Sequence, residues 1–338
     1  MDSARYSFPA VRGIQASMEY YVAMVPLDCI SKLFTFTDEN LPPEIRSQRT
    51  LNKARIPEIR DYILSNPTSY VFSALTASID GDMVFESVSE DSNLGMLSIS
   101  MSAKLLINDG QHRRAAIEAA LKKKSDLKFE HVSMVLYHDI GLKRSQQMFS
   151  DLNRFAIRPT KSLNILYDNR DTLSIIVKDV ISSVPNFNQL VDKEHTSIPN
   201  RSIALFTLSA IHHGTKALLE NQDITYEAKC MLAVQYWSTI YNNMTEWQDV
   251  ALKKVKSSEI RRDSLSPLSI TLRSLGKIGN ELVIKYPDSW KSKLYKLSEI
   301  DWKKTNPLWQ KGIVIDGSVQ LSHATQAQMV TILRNTIL

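Results

Sequence analysis

A run of eighteen residues from Lys104 to Leu121, KLLINDGQHRRAAIEAAL, constrains the fold more than any other stretch of the chain. Leu105, Leu106 and Ile107 form an apolar run too short for a helix and bounded by turn residues, so they read as a buried strand. Asp109-Gly110 supplies the turn, and a glycine there permits a tight bend and close backbone approach by a ligand. From Gln111 onward no residue breaks a helix until Lys122-Lys123-Lys124, whose cations suit the negative end of a helix dipole. The predicted unit is strand, turn, helix.

At about 100° per residue, Arg113, Ala116, Ile117 and Ala120 share an inward face, while Arg114, Glu118 and Lys122 form a solvated stripe. Arg113 then sits in the first turn, where the dipole disfavours a cation unless an anion binds there. Two readings stay open. With a phosphate bound, free amides, dipole and guanidinium converge on it. Without one, Arg113 pairs with Asp109 or another carboxylate. The first reading predicts that Arg113→Ala removes anion binding and leaves the fold intact.

Composition narrows the class. A chain of 338 residues, 43% hydrophobic and 23% charged, can bury a substantial core and divide into two domains. No apolar run reaches about 18 residues, so no membrane-spanning helix is expected. The opening MDSARY has no apolar signal core. Cys29 and Cys230 stand far apart and form no redox or metal motif, which fits a reduced cytoplasm and assigns no metal ligands. A net charge of +5 permits nucleic-acid binding without requiring it.

In chain order, Glu19–Pro26 reads as a strand and Pro26–Phe34 as a helix start with Ile30, Leu33 and Phe34 on one face. Residues 56–64 read as a helix with Ile56, Ile59, Tyr62 and Ile63 inward. Arg46, Arg49, Lys53, Arg55 and Arg60 cluster around it, either as a phosphate-contacting surface or as a solvated charged face. Tyr70–Ser78 reads as a strand, Asp80-Gly81 as a hairpin turn, Met83–Glu86 as the returning strand and His131–Tyr137 as another. Leu142–Asn153 reads as a helix that runs toward Pro159.

Beyond about Ser162 helical periodicity dominates, with helices expected over Thr172–Val184, Ser202–Glu220, Thr225–Asn243 and Pro267–Tyr286. His212-His213 point about 100° apart on a helix and cannot form an i,i+4 metal pair. Lys253, Lys254, Lys256, Arg261 and Arg262, with Trp247 nearby, are the densest basic run and could contact DNA phosphates or simply end a solvated helix. Trp290, Trp302 and Trp309 are expected to pack the last helices.

Asp109-Gly110-Gln111-His112-Arg113 resembles the DGQHR signature of the DndB family, which is associated with bacterial DNA phosphorothioation. The strand, turn and helix also resemble the phosphate-binding element of the ParB/sulfiredoxin-like fold. Gln111 stands where sulfiredoxins carry their reactive cysteine, and an amide cannot serve as that nucleophile, so sulfiredoxin chemistry is not expected. The ParB glutamate is also absent at Gln111. The segment Asn153-Arg154-Phe155-Ala156-Ile157-Arg158-Pro159 is similar to the third ParB-like motif, and by resemblance Asn153 and Arg154 would complete a pocket opposite the turn.

The resemblance implies a mixed α+β fold, with a ParB/sulfiredoxin-like DGQHR domain over residues 1–165 and a helical domain over 166–338. It implies a DNA-binding transcriptional repressor of a phosphorothioate-modification gene cluster. Gly110, His112, Arg113, Asn153 and Arg154 would hold phosphate or nucleotide, and Arg49, Lys53, Arg55, Lys253, Lys254, Lys256, Arg261 and Arg262 would contact double-stranded DNA. The competing readings are a nucleotide hydrolase and a scaffold for the modification enzymes. In the hydrolase, Asp109 and Gln111 would be catalytic and the cofactor a nucleoside triphosphate with a divalent metal.

Overall fold

The computed structural model describes residues 4–34, 51–138, 147–148, 150–152, 159–310, 312–320 and 322–338. The chain divides into two compact units, Met1–Ile157 and Arg158–Leu338. A sheet dominates the first and helices the second, giving a mixed α+β protein.

The first unit is built on strands β1 (Arg5–Gln15), β2 (Met18–Pro26), β3 (Leu75–Asp80), β4 (Met83–Ser87), β5 (Leu94–Ser100), β6 (Lys104–Asp109) and β7 (His131–His138). They form one seven-stranded sheet in the order β4-β5-β1-β2-β7-β3-β6. All neighbours are antiparallel except β3 and β7, which run parallel. Alternation decides which face is core. Phe8, Ala10, Tyr21, Ala23, Val25, Leu97 and Ile99 are buried, and so are Leu75, Ala77, Ile79, Leu105 and Ile107. The intervening Val11, Val22, Met24, Leu94 and Met96 remain exposed. Helices α1 (Leu27–Leu33), α2 (Ile56–Ser65) and α3 (Gln111–Leu121) complete the same core through Ile30, Leu33, Ile63, Ile117 and Ala120.

Local signals located the turns better than the partners. The chain does turn at Gly81, with φ +142°, but β3 and β4 are not a hairpin. β3 pairs with β7 and β6, whereas β4 pairs only with β5 at the far edge of the sheet. Asp80 and Met83 are nevertheless three residues apart, about 11 Å at most, so the sheet must curl until its two ends approach. The strand expected from Tyr70 starts only at Leu75. The Val71 amide goes to Tyr62 Oη at 2.9 Å, and the Ser73 and Ala74 carbonyls go to Arg113, so side chains serve this backbone in place of a neighbouring strand. On α2 only Ile63 is buried, while Ile56, Ile59 and Tyr62 are half-buried.

The second unit packs its helices on an aromatic centre. Phe206 and Trp247 meet edge to face with centroids 4.5 Å apart, and Phe187 stands 5.9 Å from Phe206. Trp302 stacks on Trp309 at 5.5 Å, and Trp290 is buried with them in one cluster. The helix expected from Ser202 begins at Leu208, because Phe206–Thr207 first pair with Val191–Asp192 in a short parallel ladder. Thr207 then caps the helix by accepting from the Ala210 amide at 3.3 Å.

Helix Leu208–Leu218 crosses helix Ser269–Lys285 at Gly214 and Gly276. A Cβ on Gly276 would fall 2.0 Å from the Gly214 carbonyl oxygen, which is backbone and cannot step aside. Gly276→Ala is therefore expected to lower Tm by roughly 2–12 °C, from about 1–3 kcal/mol of overpacking at ~2–4 °C per kcal/mol. A thermal melt unchanged within 1–2 °C, roughly the smallest shift such packing strain could give, would show that the helices separate freely there.

His212 and His213 lie on the first of these helices with ring centroids 6.0 Å apart. Burial holds both imidazoles below the ordinary histidine range, and the neighbouring His213 lowers His212 further. Their folded forms thus favour the neutral state, so the stability they contribute is complete above about pH 6.5 and falls as pH drops below that value. Melts between pH 7.5 and 5.5 should show Tm falling with acidification, and the double variant His212→Gln/His213→Gln should flatten that slope.

Candidate functional site

Strand β6 ends in a bulge. Asp109 pairs with Thr76 and Ile107 with Ala77, so Asn108 is the inserted residue. Its side chain is buried, and Oδ1 accepts from Ser78 Oγ at 2.9 Å. Its Nδ2 has no acceptor among the described residues. Bulges re-aim the strand, and here the chain passes at once into Gly110 and α3.

Gly110 is the N-cap of α3, with φ +100°. That is one reason for glycine. The second is space, since a Cβ would meet Leu75 Cδ2 at 2.5 Å and Arg113 Nη2 at 3.2 Å. The cap has no side chain to accept from the first amides, and α3 has no acid in its first turn. Among the described residues, the carboxylate nearest in sequence to this positive end is Asp109, one residue before the cap.

Arg113 folds back over this turn. Nη2 donates to Asp109 Oδ2 at 2.7 Å. Nη1 donates to the Ser73 carbonyl at 2.5 Å, the Ala74 carbonyl at 2.9 Å and the Ser73 hydroxyl. The side chain is only 16% exposed. So the Asp109 pairing is what the structure contains, and the guanidinium clamps the Ser73–Ala74 segment. Arg113→Ala would therefore remove a clamp on the fold as well as any contact to an anion.

His112 is buried, and its Nε2 accepts from the Asn52 amide at 3.1 Å. An accepting nitrogen requires the neutral ring, so His112 ties in a neighbouring segment. Asn52 in turn caps the short turn that follows it, with Oδ1 accepting from Ala54 N at 3.1 Å. Lys53 and Arg55 stand on that turn, exposed and with no carboxylate partner among the described residues. Two cations the sequence had grouped by proximity are thereby docked beside the start of α3. Arg114 and Glu118, expected in a solvated stripe, pair at 3.5 Å and are half-buried, with Arg114 also donating to the Phe34 carbonyl at 3.2 Å. Gln111 is half-buried at the first helical position. Arg46, Arg49, Asn153 and Arg154 lie outside the described residues.

A second basic feature is contained within the helical unit. Lys253, Lys256 and Arg201, the last not singled out from sequence, line a cavity of about 380 Å³ with Asn200, Ser257 and Ser258. A neighbouring cavity of about 420 Å³ shares Asn200 and Ser258 and is lined by Arg261, Arg262, Thr207 and Ser269. No Asp or Glu lines either. Arg261 donates to the Pro199 carbonyl at 3.0 Å, to the Ser202 carbonyl at 3.1 Å and to the Ala204 carbonyl. Its charge is thus held by dipoles and not cancelled by an acid. Burial lowers its pKa, yet a guanidinium stays protonated.

Arg262 pairs with Asp263 at 2.7 Å and Lys254 with Asp249 at 3.3 Å, both at exposed positions where such pairs are weak. Trp247 takes no part in this surface. It is fully buried and donates to Ser266 Oγ at 3.2 Å.

The residues do not assemble a metal centre. Among the described residues no three His, Cys, Asp or Glu side chains converge as ligands, and Asp109 is already held by Arg113.

Arg113→Ala is expected to destabilise the first unit by about 1–2 kcal/mol, because the half-buried Ala74 carbonyl, the more exposed Ser73 acceptors and the Asp109 carboxylate lose a charged donor. Arg113→Lys should recover little of this, since one ammonium cannot reproduce the fork. Urea unfolding of the three proteins measures it, and an Ala variant as stable as the parent would show the clamp to be dispensable.

The comparisons with known proteins agree with the motif. The chain is 21% identical over 277 residues to the SPbeta prophage-derived uncharacterized protein YopQ of Bacillus subtilis (strain 168). That match covers 79% of this chain and 58% of the relative, so the chain spans less than two thirds of the relative's length. No solved structure matches the chain. The family model described as DndB, DNA-sulfur modification-associated, matches residues 8–337, and the protein therefore belongs to the DndB family.

Proposed function

We propose that this protein is a DNA-binding transcriptional repressor of a DNA phosphorothioate-modification gene cluster. Double-stranded DNA is held through the basic cavities of the helical unit, and a phosphate, of DNA or of a nucleotide, docks at the start of α3. The observation that carries the reading is the pair of adjoining cavities lined by Arg201, Lys253, Lys256, Arg261 and Arg262 with no acid in either lining. Arg262 is shared with Asp263, but Arg201, Lys253, Lys256 and Arg261 have no carboxylate partner among the described residues, and such cations are what backbone phosphates displace counterions to reach. The amides at the start of α3, flanked by Lys53 and Arg55, offer the same chemistry to one phosphate.

The strand–turn–helix of β6, Gly110 and α3 supports reading the first unit as ParB/sulfiredoxin-like, followed by a helical domain. The nucleotide-hydrolase reading is less favoured, because Asp109 is paired with Arg113 and Gln111 is neutral. Holding a phosphate needs neither a free base nor a metal. A scaffold role predicts stable co-purification with the modification enzymes and weak, sequence-independent DNA binding.

Fluorescence anisotropy on a duplex from the protein's own operon promoter and on a scrambled duplex, across a salt series, tests the proposal. A promoter preference of about 10³-fold is expected of a specific regulator. Lys253→Gln/Lys256→Gln should weaken both duplexes alike and reduce the salt slope by roughly 2, one for each lost phosphate contact. Equal affinity for the two duplexes would overturn the repressor reading.

A further inference from the structure

The first unit contains a cavity of about 530 Å³ between the segment Pro67–Phe72, the ends of β2 and α1 at Met24 and Leu27, and the start of β7 at Glu130–Ser133. Its volume falls in the range of small-molecule sites. The walls offer flat and apolar surface. Tyr70 and Phe72 stand with ring centroids 5.5 Å apart, joined by Met24, Leu27 and Val132. One strong acceptor faces this lining. The Glu130 carboxylate accepts from the Tyr70 hydroxyl and has no cationic partner among the described residues. Burial and this carboxylate push the Tyr70 hydroxyl above the ordinary tyrosine range, so it stays a donor to Glu130, and the carboxyl group has two oxygens with which to accept.

Two walls of the cavity lead directly to the start of α3. Phe72 lines it, and the next residue, Ser73, is clamped by Arg113, about 3.8 Å further along the backbone. Ser133 lines it, and the next residue, Met134, pairs with Leu75, whose side chain abuts Gly110. The phosphate site and the cavity thus share one end of the sheet.

We infer that this cavity is a nucleobase subsite, which takes an amino-bearing base (adenine, cytosine or guanine) whose attached phosphate lies at the start of α3. The inference rests on the phosphate reading of that turn. Aromatic and apolar walls suit the face of any base. The Glu130 side chain already acts as an acceptor toward Tyr70, and an acceptor favours an exocyclic amine over the carbonyl that thymine presents at the same edge. The base comes either from a free nucleotide or from an unpaired position in DNA.

Isothermal titration of the full chain with the 5′-monophosphates of adenosine, cytidine, guanosine and thymidine, the four free nucleosides, inorganic phosphate and a short single-stranded oligonucleotide tests it. At least one amino-bearing monophosphate should bind about tenfold or more tighter than thymidine monophosphate, the factor that one hydrogen bond to a charged group carries. Glu130→Gln, which still accepts from Tyr70, should erase that preference. Val71→Trp, at an exposed position on the cavity wall, should block nucleotides and leave inorganic phosphate unaffected.

Tighter binding of the mononucleotide than of the oligonucleotide assigns the site to a free nucleotide, and the reverse order assigns it to unpaired DNA. Nucleoside binding without phosphate binding would uphold the cavity and remove the anion site at α3. Equal affinity for all four bases, an unchanged Glu130→Gln variant, or no nucleoside or nucleotide binding in a protein that still prefers its promoter duplex would overturn the base subsite while leaving the DNA-binding reading standing.

Discussion

The guanidinium of Arg113 is the interaction on which the sheet-containing unit turns. It joins three parts of the chain that no regular ladder connects, namely the β6 end at Asp109, the first turn of α3 and the carbonyls of Ser73 and Ala74. Planar geometry explains the choice of residue, because five donors in a fixed fork can serve several acceptors at once. Gly110 is its necessary counterpart, since any larger residue would collide with Leu75 and press on the guanidinium itself. His112 performs the same service on the other side by accepting from Asn52. The DGQHR motif thus first fastens surrounding segments, and in doing so holds the short turn that carries Lys53 and Arg55 to His112 of α3.

Charge is arranged differently in the two units. At the α3 turn the arginine is neutralised by Asp109, and what remains for an anion is backbone together with Lys53 and Arg55 on the neighbouring turn. In the helical unit the reverse holds. Arg261 is satisfied by carbonyl dipoles, so its hydrogen bonds are made while its charge persists beside Lys253, Lys256 and Arg201. Dipoles and carboxylates both quench donors, but only carboxylates cancel the long-range field that draws a polyanion. That distinction is why a buried arginine can still contribute to a DNA-facing potential.

Family membership and mixed α+β architecture were both legible in the residues, because DGQHR is a contiguous string and helix and strand periodicities are local properties. The α3 boundaries follow from the same locality. The hairpin expected at Asp80-Gly81 was not legible, because a glycine with positive φ encodes the bend and says nothing of which strand each arm will pair with. Trp247 shows the matching limit for the site. In the sequence it stands near a basic run, yet it is buried against Phe187 and Phe206, since a hydrophobic centre assembled from distant segments claims it.

By itself the sequence determined the motif, the glycine at its bend, the helix that follows and the excess of positive charge, all of which depend on neighbours in the chain. Tertiary structure alone decided that Arg113 would spend its donors on Ser73 and Ala74, and that Arg201 would join Lys253 and Lys256 around one cavity. It also decided that Glu130 would meet Tyr70 beside the same turn. Those partners are separated by some forty to sixty residues, and only the closing of the sheet and the packing of the helices set the distances at which their charges and hydrogen bonds can act.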